Sequence, residues 1–289
     1  MLEGVPVGNE EIADWLEISI LSGGQIGNTN HQLEIWAKDF CGLSALQVAG
    51  GLKVIERRAQ VLRNLYPFEI NELAVVLNKT MLETAYVYLL LSSRPSYNFK
   101  WQTSSPTTEE SEVFEVFVSK CIENYLGTDA QAIPFGWPSK FGRPMEFHLA
   151  INWLSDKLGI KQGTGFRPPR RKDGGVDVVA WKPFKDRRTG FPVYLVQCTL
   201  QKEFTSKARD IDLRLWAGWL EMDRDPMTIL AIPKTVPPGE QWNEISANAV
   251  IFDRLRLTQY SSDSISTELG QYLKDKLLVL NTFGRDHLA

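Results

Sequence analysis

Three cysteines in 289 residues, Cys41, Cys121 and Cys198, leave no material for a disulfide framework. They are odd in number, far apart and not in CxxC spacing. Only three histidines (His31, His148, His287) could assist them, so a zinc site is not expected either. A reducing, cytoplasmic setting is expected instead. Excess charge of one sign is also missing: 32 Lys and Arg stand against 35 Asp and Glu, a formal net charge of −3. The average surface does not attract polyanions, and any phosphate site must be a local patch. Long apolar runs are absent too. AYVYLLL at 85–91 is far shorter than the ~20 residues that cross a bilayer. The opening residues MLEGVPVGNEE have neither the basic nor the apolar region of a signal peptide, so no membrane association is expected. What remains is an ordinary globular composition, 43% hydrophobic, in a length that suits one large domain or two smaller ones.

The first hundred residues read as an all-α domain (1–100). EEIADWLEISILS places Ile12, Trp15, Leu16 and Ile20 on one helical face. The stretch from Leu43 to Pro67 repeats that period and stops at the proline, and EINELAVVLNKTMLETAYVYLLLSS at 69–93 continues it. SGGQIGNTN at 22–30 has no strand before it and no Gly-Lys-Ser/Thr after it, so it reads as a turn rather than a phosphate loop. The Ser, Thr and Pro of 94–111 lack periodicity and read as a linker, drawn at 101–111.

From 112 to 289 the pattern is mixed. A helix at 112–126 ends at Gly127, a Pro/Gly loop follows at 133–144, and a second helix covers 145–159. A short first strand is expected at 163–167. The apolar runs GVDVVAW (175–181) and VYLVQCT (193–199) then flank the basic loop KPFKDRRTGFP. A helix at 206–222, strands at 227–233 and 249–257, and a last helix at 266–281 complete an α/β layout in which helices flank a mixed central sheet.

Both central strands are apolar on both faces, as interior strands are. Asp177 interrupts the first and Gln197 the second. A carboxylate inside such a strand costs several kcal/mol unless a cation compensates it. Antiparallel pairing can set Asp177 and Gln197 on one face near a strand end. Glu146, in the first turn of the helix before them, is a third candidate ligand and a second acid. Hard cations such as Mg²⁺ take one or two carboxylates and keep several waters. The plainer alternatives are a turn role for Asp177, a satisfied core amide for Gln197 and a helix-start role for Glu146. Cys198 reads as a core residue and His148 as a packing or surface residue rather than a ligand. Trp216 and Trp219, one helical turn apart, suit either packing on the sheet or an interface.

The helix acid, GGVDVVAW, the loop, the strand ending in QCT and the helix after it together resemble the PD-(D/E)xK nuclease superfamily, in its Mrr-like branch, over about residues 140–235. The resemblance implies a restriction-endonuclease-like fold and Mg²⁺- or Mn²⁺-dependent phosphodiester hydrolysis, of DNA above all. Asp177, supported by Gln197 and Glu146, would hold the metal. The family's lysine two residues after Gln197 is replaced by Thr199, which carries no charge. Some relatives relocate that lysine, and Lys202 and Lys207 are the candidates here. Arg167, Arg170, Arg171, Lys172, Lys185, Arg187 and Arg188 cluster around the hairpin and suit phosphate contacts. The resemblance implies bacterial restriction or anti-phage defence. The alternative is a catalytically degenerate scaffold that binds nucleic acid, a partner protein or a second copy through the helical domain.

Overall fold

The computed structural model describes residues 8–22, 27–95, 102, 105–138, 141–169, 171–261 and 267–283. In the N-terminal part, helices α1 (Asn9–Ser22), α2 (Asn30–Cys41), α3 (Ala45–Leu62) and α4 (Ala85–Ser92) dominate, as expected. Thr29 and Ser44 close capping boxes with Gln32 and Gln47, which fixes where α2 and α3 begin. The helical reading missed a small antiparallel sheet of β1 (Gly27–Thr29), β2 (Phe68–Ile70) and β3 (Ala74–Leu77), in the order β1-β3-β2. Asn71 is responsible. Its side-chain oxygen accepts hydrogen bonds from the Leu73 and Ala74 amides, making a turn inside a stretch whose spacing also fits a helix.

The second part follows the mixed layout. It contains α5 (Thr108–Leu126), β4 (Gln131–Pro134), α6 (Phe147–Leu158), β5 (Val178–Trp181), β6 (Val193–Cys198), α7 (Leu213–Trp219), β7 (Met227–Ala231), α8 (Glu240–Ser246), β8 (Val250–Phe252), α9 (Arg254–Gln259) and α10 (Thr267–Phe283). The five-stranded sheet has the order β4-β5-β6-β7-β8, antiparallel across β4–β5–β6 and parallel across β6–β7–β8.

Three expectations are corrected. No strand forms at 163–167; the first strand is β4, at the start of the Pro/Gly loop. The helix expected at 206–222 is two pieces. A 3₁₀ turn spans Thr205–Arg209, and α7 restarts after Asp212, whose carboxylate accepts the Arg214 and Leu215 amides. The strand expected at 249–257 ends at Phe252, because Asp253 caps α9.

Each face of the sheet is buried. Val178, Ala180, Val196, Ile229 and Ala231 belong to a core that continues through α5 into α1, α3 and α4. On the opposite face Val179, Trp181, Val193 and Leu195 pack with α6 and with Trp216 and Trp219 of α7. That settles the place of the two tryptophans: both are buried against the sheet, with ring centroids 5.3 Å apart.

A buried ionic cluster ties α1 to the end of the sheet. Arg254 donates two hydrogen bonds of 2.7 Å to the Asp14 carboxylate and a third to the Pro233 carbonyl. Arg58 of α3 lies 2.8 Å from Asp14 and 3.0 Å from Glu17, and donates to Thr235 and Glu10. Tyr66 and Tyr86 donate their hydroxyls to Glu17. Burial is the largest influence on Glu17 and raises its pKa, whereas Arg254 and Arg58 hold Asp14 below the usual carboxylate range against burial. Removing one partner leaves the other charge buried without compensation. Arg254→Ala is therefore expected to lower the unfolding free energy by about 3–5 kcal/mol in urea titration. A loss below about 1 kcal/mol would show that the cluster is not holding these elements together.

Candidate active site

Asp177 immediately precedes β5, and its backbone joins three strands. Its amide donates to the Val196 carbonyl at 2.8 Å, and its carbonyl accepts the Phe135 and Gly136 amides at 2.6 and 3.1 Å, just after β4. Continuing the β5–β6 register (Val178 opposite Val196) puts Gln197 across from Asp177. The side chains meet: Gln197 Nε2 donates to Asp177 Oδ2 at 2.5 Å, and the Cys198 amide donates to the same oxygen at 2.7 Å. Both residues are buried. Gln197 Nε2 also donates to the Cys198 carbonyl at 3.2 Å. With two acceptors fixing the amide nitrogen, Gln197 Oε1 is left buried without a hydrogen-bond partner.

Burial pushes the Asp177 pKa up to about 7, and the Asp173 charge adds to it; the Cys198 amide, Lys207 and Arg171 pull the other way. Glu115 of α5, not singled out from the sequence, belongs to the same cluster. Burial raises its pKa to about 9, and the charges that add to this are Asp177, Asp173 and Glu112. A Cβ placed on Gly136 would lie 2.7 Å from Glu115 Oε2, so glycine makes room for that carboxyl beside Asp177. A sequence signal did exist. Glu115 stands at i with Val118 at i+3 and Ile122 at i+7, an acid on the apolar face of α5.

The other candidates separate. Glu146 is not brought to Asp177. It is the residue before α6, its side chain is 70% exposed, and its partner is His148 at 3.6 Å. Its backbone explains this: Glu146 is the N-cap, extended and ahead of the first helical turn, so the packing of α6 on the sheet does not carry its side chain inward. Lys207 is the lysine whose charge acts on Asp177; its Nζ lies 3.3 Å from Asp210. Lys202 is exposed in the loop after β6, next to Lys234. Thr199 is buried, and its hydroxyl accepts the Gln201 amide in the turn that ends β6. Burial keeps the Cys198 thiol far above the usual range.

The basic cluster is not one patch. Arg171 (2.7 Å from Asp210) and Lys172 (3.6 Å from the Trp137 ring centre) lie in the loop leading to Asp177, and Arg167 is exposed where its carbonyl meets Trp219. Lys185, Arg187 and Arg188 sit on the hairpin loop at the other end of β5, roughly 13 Å away along the strand. Arg170 lies outside the described residues.

Among the described residues no group of three or more His, Cys, Asp or Glu side chains is arranged to hold a metal. Two carboxylates, Asp177 and Glu115, with the unpartnered Gln197 oxygen are a donor set of the kind that suits a hard, water-retaining cation rather than zinc. No helix among the described residues is long and apolar enough to cross a membrane.

Comparison with known proteins gives little else. No family model matches the chain, and no curated protein matches it. Among solved structures, the MspJI restriction endonuclease in complex with a 27-mer oligonucleotide is similar at 14% identity and a TM-score of 0.27. The match covers 64% of this chain and 39% of that one, and is too distant to carry residue roles across.

The raised Asp177 pKa has a sign that can be tested. Between the ordinary value of 3.8 and about 7 the folded carboxyl keeps a proton that the unfolded one has lost. Stability from this group is full below pH 4 and is lost as pH rises to 7. In EDTA, Asp177→Asn is expected to gain on the unsubstituted chain by about 1.4 kcal/mol per pH unit across that window. Parallel stability curves in urea at pH 4.5 and 7.5 would count against a buried, strained carboxylate.

Proposed function

We propose that the chain is a Mg²⁺- or Mn²⁺-dependent nuclease that hydrolyses phosphodiester bonds, with DNA as the expected substrate. The observation that carries this reading is the Asp177–Gln197 pair: a carboxylate buried against an amide whose own oxygen has no partner. Such an arrangement is unfavourable until a cation arrives. Asp177 and Gln197 Oε1 would hold the metal, with Glu115 beside them in place of the expected Glu146. A bound divalent ion supplies charge neutralisation at the phosphoryl group and lowers the pKa of water.

The chain's own groups have separate tasks. The Cys198 amide fixes the Asp177 carboxylate. Glu115, protonated at neutral pH in the absence of metal, limits the repulsion among the acids. Lys207 supplies the positive charge that Thr199 cannot, close enough to Asp177 to stabilise its ionised form. The resemblance to PD-(D/E)xK nucleases supports the same reading, together with its setting: a cytoplasmic restriction or anti-phage effector. Thr199, turned into a local hydrogen bond, favours the second reading, a scaffold that binds nucleic acid or a partner without cleaving.

Plasmid and single-stranded circular DNA incubated with the purified chain in Mg²⁺, Mn²⁺ or EDTA separate the two. Metal-dependent cleavage is expected, reduced more than about 100-fold in Asp177→Asn and clearly reduced in Lys207→Ala. Cleavage that survives Asp177→Asn, or none in either metal, would sink the nuclease reading.

A further inference from the structure

Next to the Asp177 site is a cleft of about 510 Å³, bounded by the 171–175 loop and by the chain from Arg209 to α7. Its walls include Gly174 and Gly175, three and two residues before Asp177, and Arg171, whose charge acts on that carboxylate. The cleft therefore adjoins the proposed centre.

The wall is preformed. Gly174 and Gly175 have φ of +67° and +79°. A Cβ on the first would come within 2.9 Å of the Trp219 ring, and one on the second within 2.7 Å of the Asp210 carbonyl. The loop is thus locked against α7 in a backbone shape that only glycine takes readily.

Three arginines line the cleft: Arg171, Arg209 and Arg214. The acids beside them are already engaged. Asp210 pairs with Arg171 and Lys207, and Asp212 accepts the amides that start α7. Arg209 makes one exposed contact, 3.2 Å to Glu244, of a kind easily exchanged for a phosphate. Arg214 is exposed and has no acidic partner among the described residues. The volume lies in the range that encloses a nucleotide-sized ligand, roughly 300–1,000 Å³, and cannot admit a helical turn of duplex.

We propose that this cleft binds the sugar-phosphate backbone of a single nucleic-acid strand, with Arg209 and Arg214 on the phosphate next to the one at Asp177, so that single-stranded nucleic acid is the form this site takes. The proposal rests on the nuclease reading for its orientation and is tested without cleavage.

The test is fluorescence anisotropy of a labelled 15-nucleotide single strand and of the matching blunt duplex, in EDTA, over a range of salt. The 289-residue chain is expected to bind the single strand more tightly than the duplex. Arg209→Glu with Arg214→Glu should weaken single-strand binding at least tenfold and lower the salt slope by about 0.7, the amount for one phosphate of a single strand. The milder Arg209→Gln with Arg214→Gln pair should weaken it in the same direction and covers the case in which the reversed pair misfolds. Arg224→Glu, at an exposed position outside the cleft lining, should stay within about twofold. Duplex bound as tightly as single strand, unchanged binding in a folded cleft variant, or an equal loss in Arg224→Glu would each overturn the proposal. Intact single-strand binding without cleavage in any metal would instead count against the nuclease reading and leave the cleft standing.

Discussion

The buried carboxylate of Asp177 is held where three strands of the sheet come together. Its amide and carbonyl bind β6 and the end of β4, and its side chain accepts the Cys198 amide and the Gln197 side chain. Shifting the β5–β6 register by one residue would turn Asp177 to the opposite face and break its bonds to Val196, Gln197 and Cys198 at once. The position is expensive, since burial alone drives the carboxyl toward its neutral form. A sheet that needed only stability would place an apolar residue there, as it does at Val178 and Val179.

The surroundings relieve only part of that cost. Asp173 adds a further negative charge, and Gly136 is kept small so that the Glu115 carboxyl, itself pushed by burial toward its neutral form, fits beside Asp177. Lys207 and Arg171 offset part of the charge but are both drawn to Asp210. Elsewhere the same chain pairs its buried charges closely: Asp14 has two arginines within 2.8 Å. The contrast between these two clusters, one closely compensated and one only in part, is the physical basis for reading structure in the first and proposing chemistry at the second.

The readable parts of the sequence were those with local rules. The strands β5 and β6 stood out through uninterrupted apolar runs, and Asp177 and Gln197 stood out because they broke those runs. Glu146 neighbours the motif in sequence but not in space, whereas Glu115 lies 62 positions before Asp177 and reaches it only through the packing of α5 on the sheet. The β2–β3 hairpin and the break before α7 were hidden for a different reason. Single side chains, Asn71 and Asp212, redirect the backbone inside stretches whose apolar spacing still fits a helix. The basic residues are close in sequence, but β5 separates Arg171 and Lys172 from Lys185, Arg187 and Arg188 in space.

The central claim is that Asp177, Gln197 and Glu115 form a divalent-cation site, and anomalous scattering from crystals grown with Mn²⁺ tests it most directly. A manganese peak is expected about 2.1 Å from an Asp177 oxygen and from Gln197 Oε1, lost in Asp177→Asn. Saturating Mn²⁺ that leaves this point empty, or that binds only at other carboxylates, would contradict it.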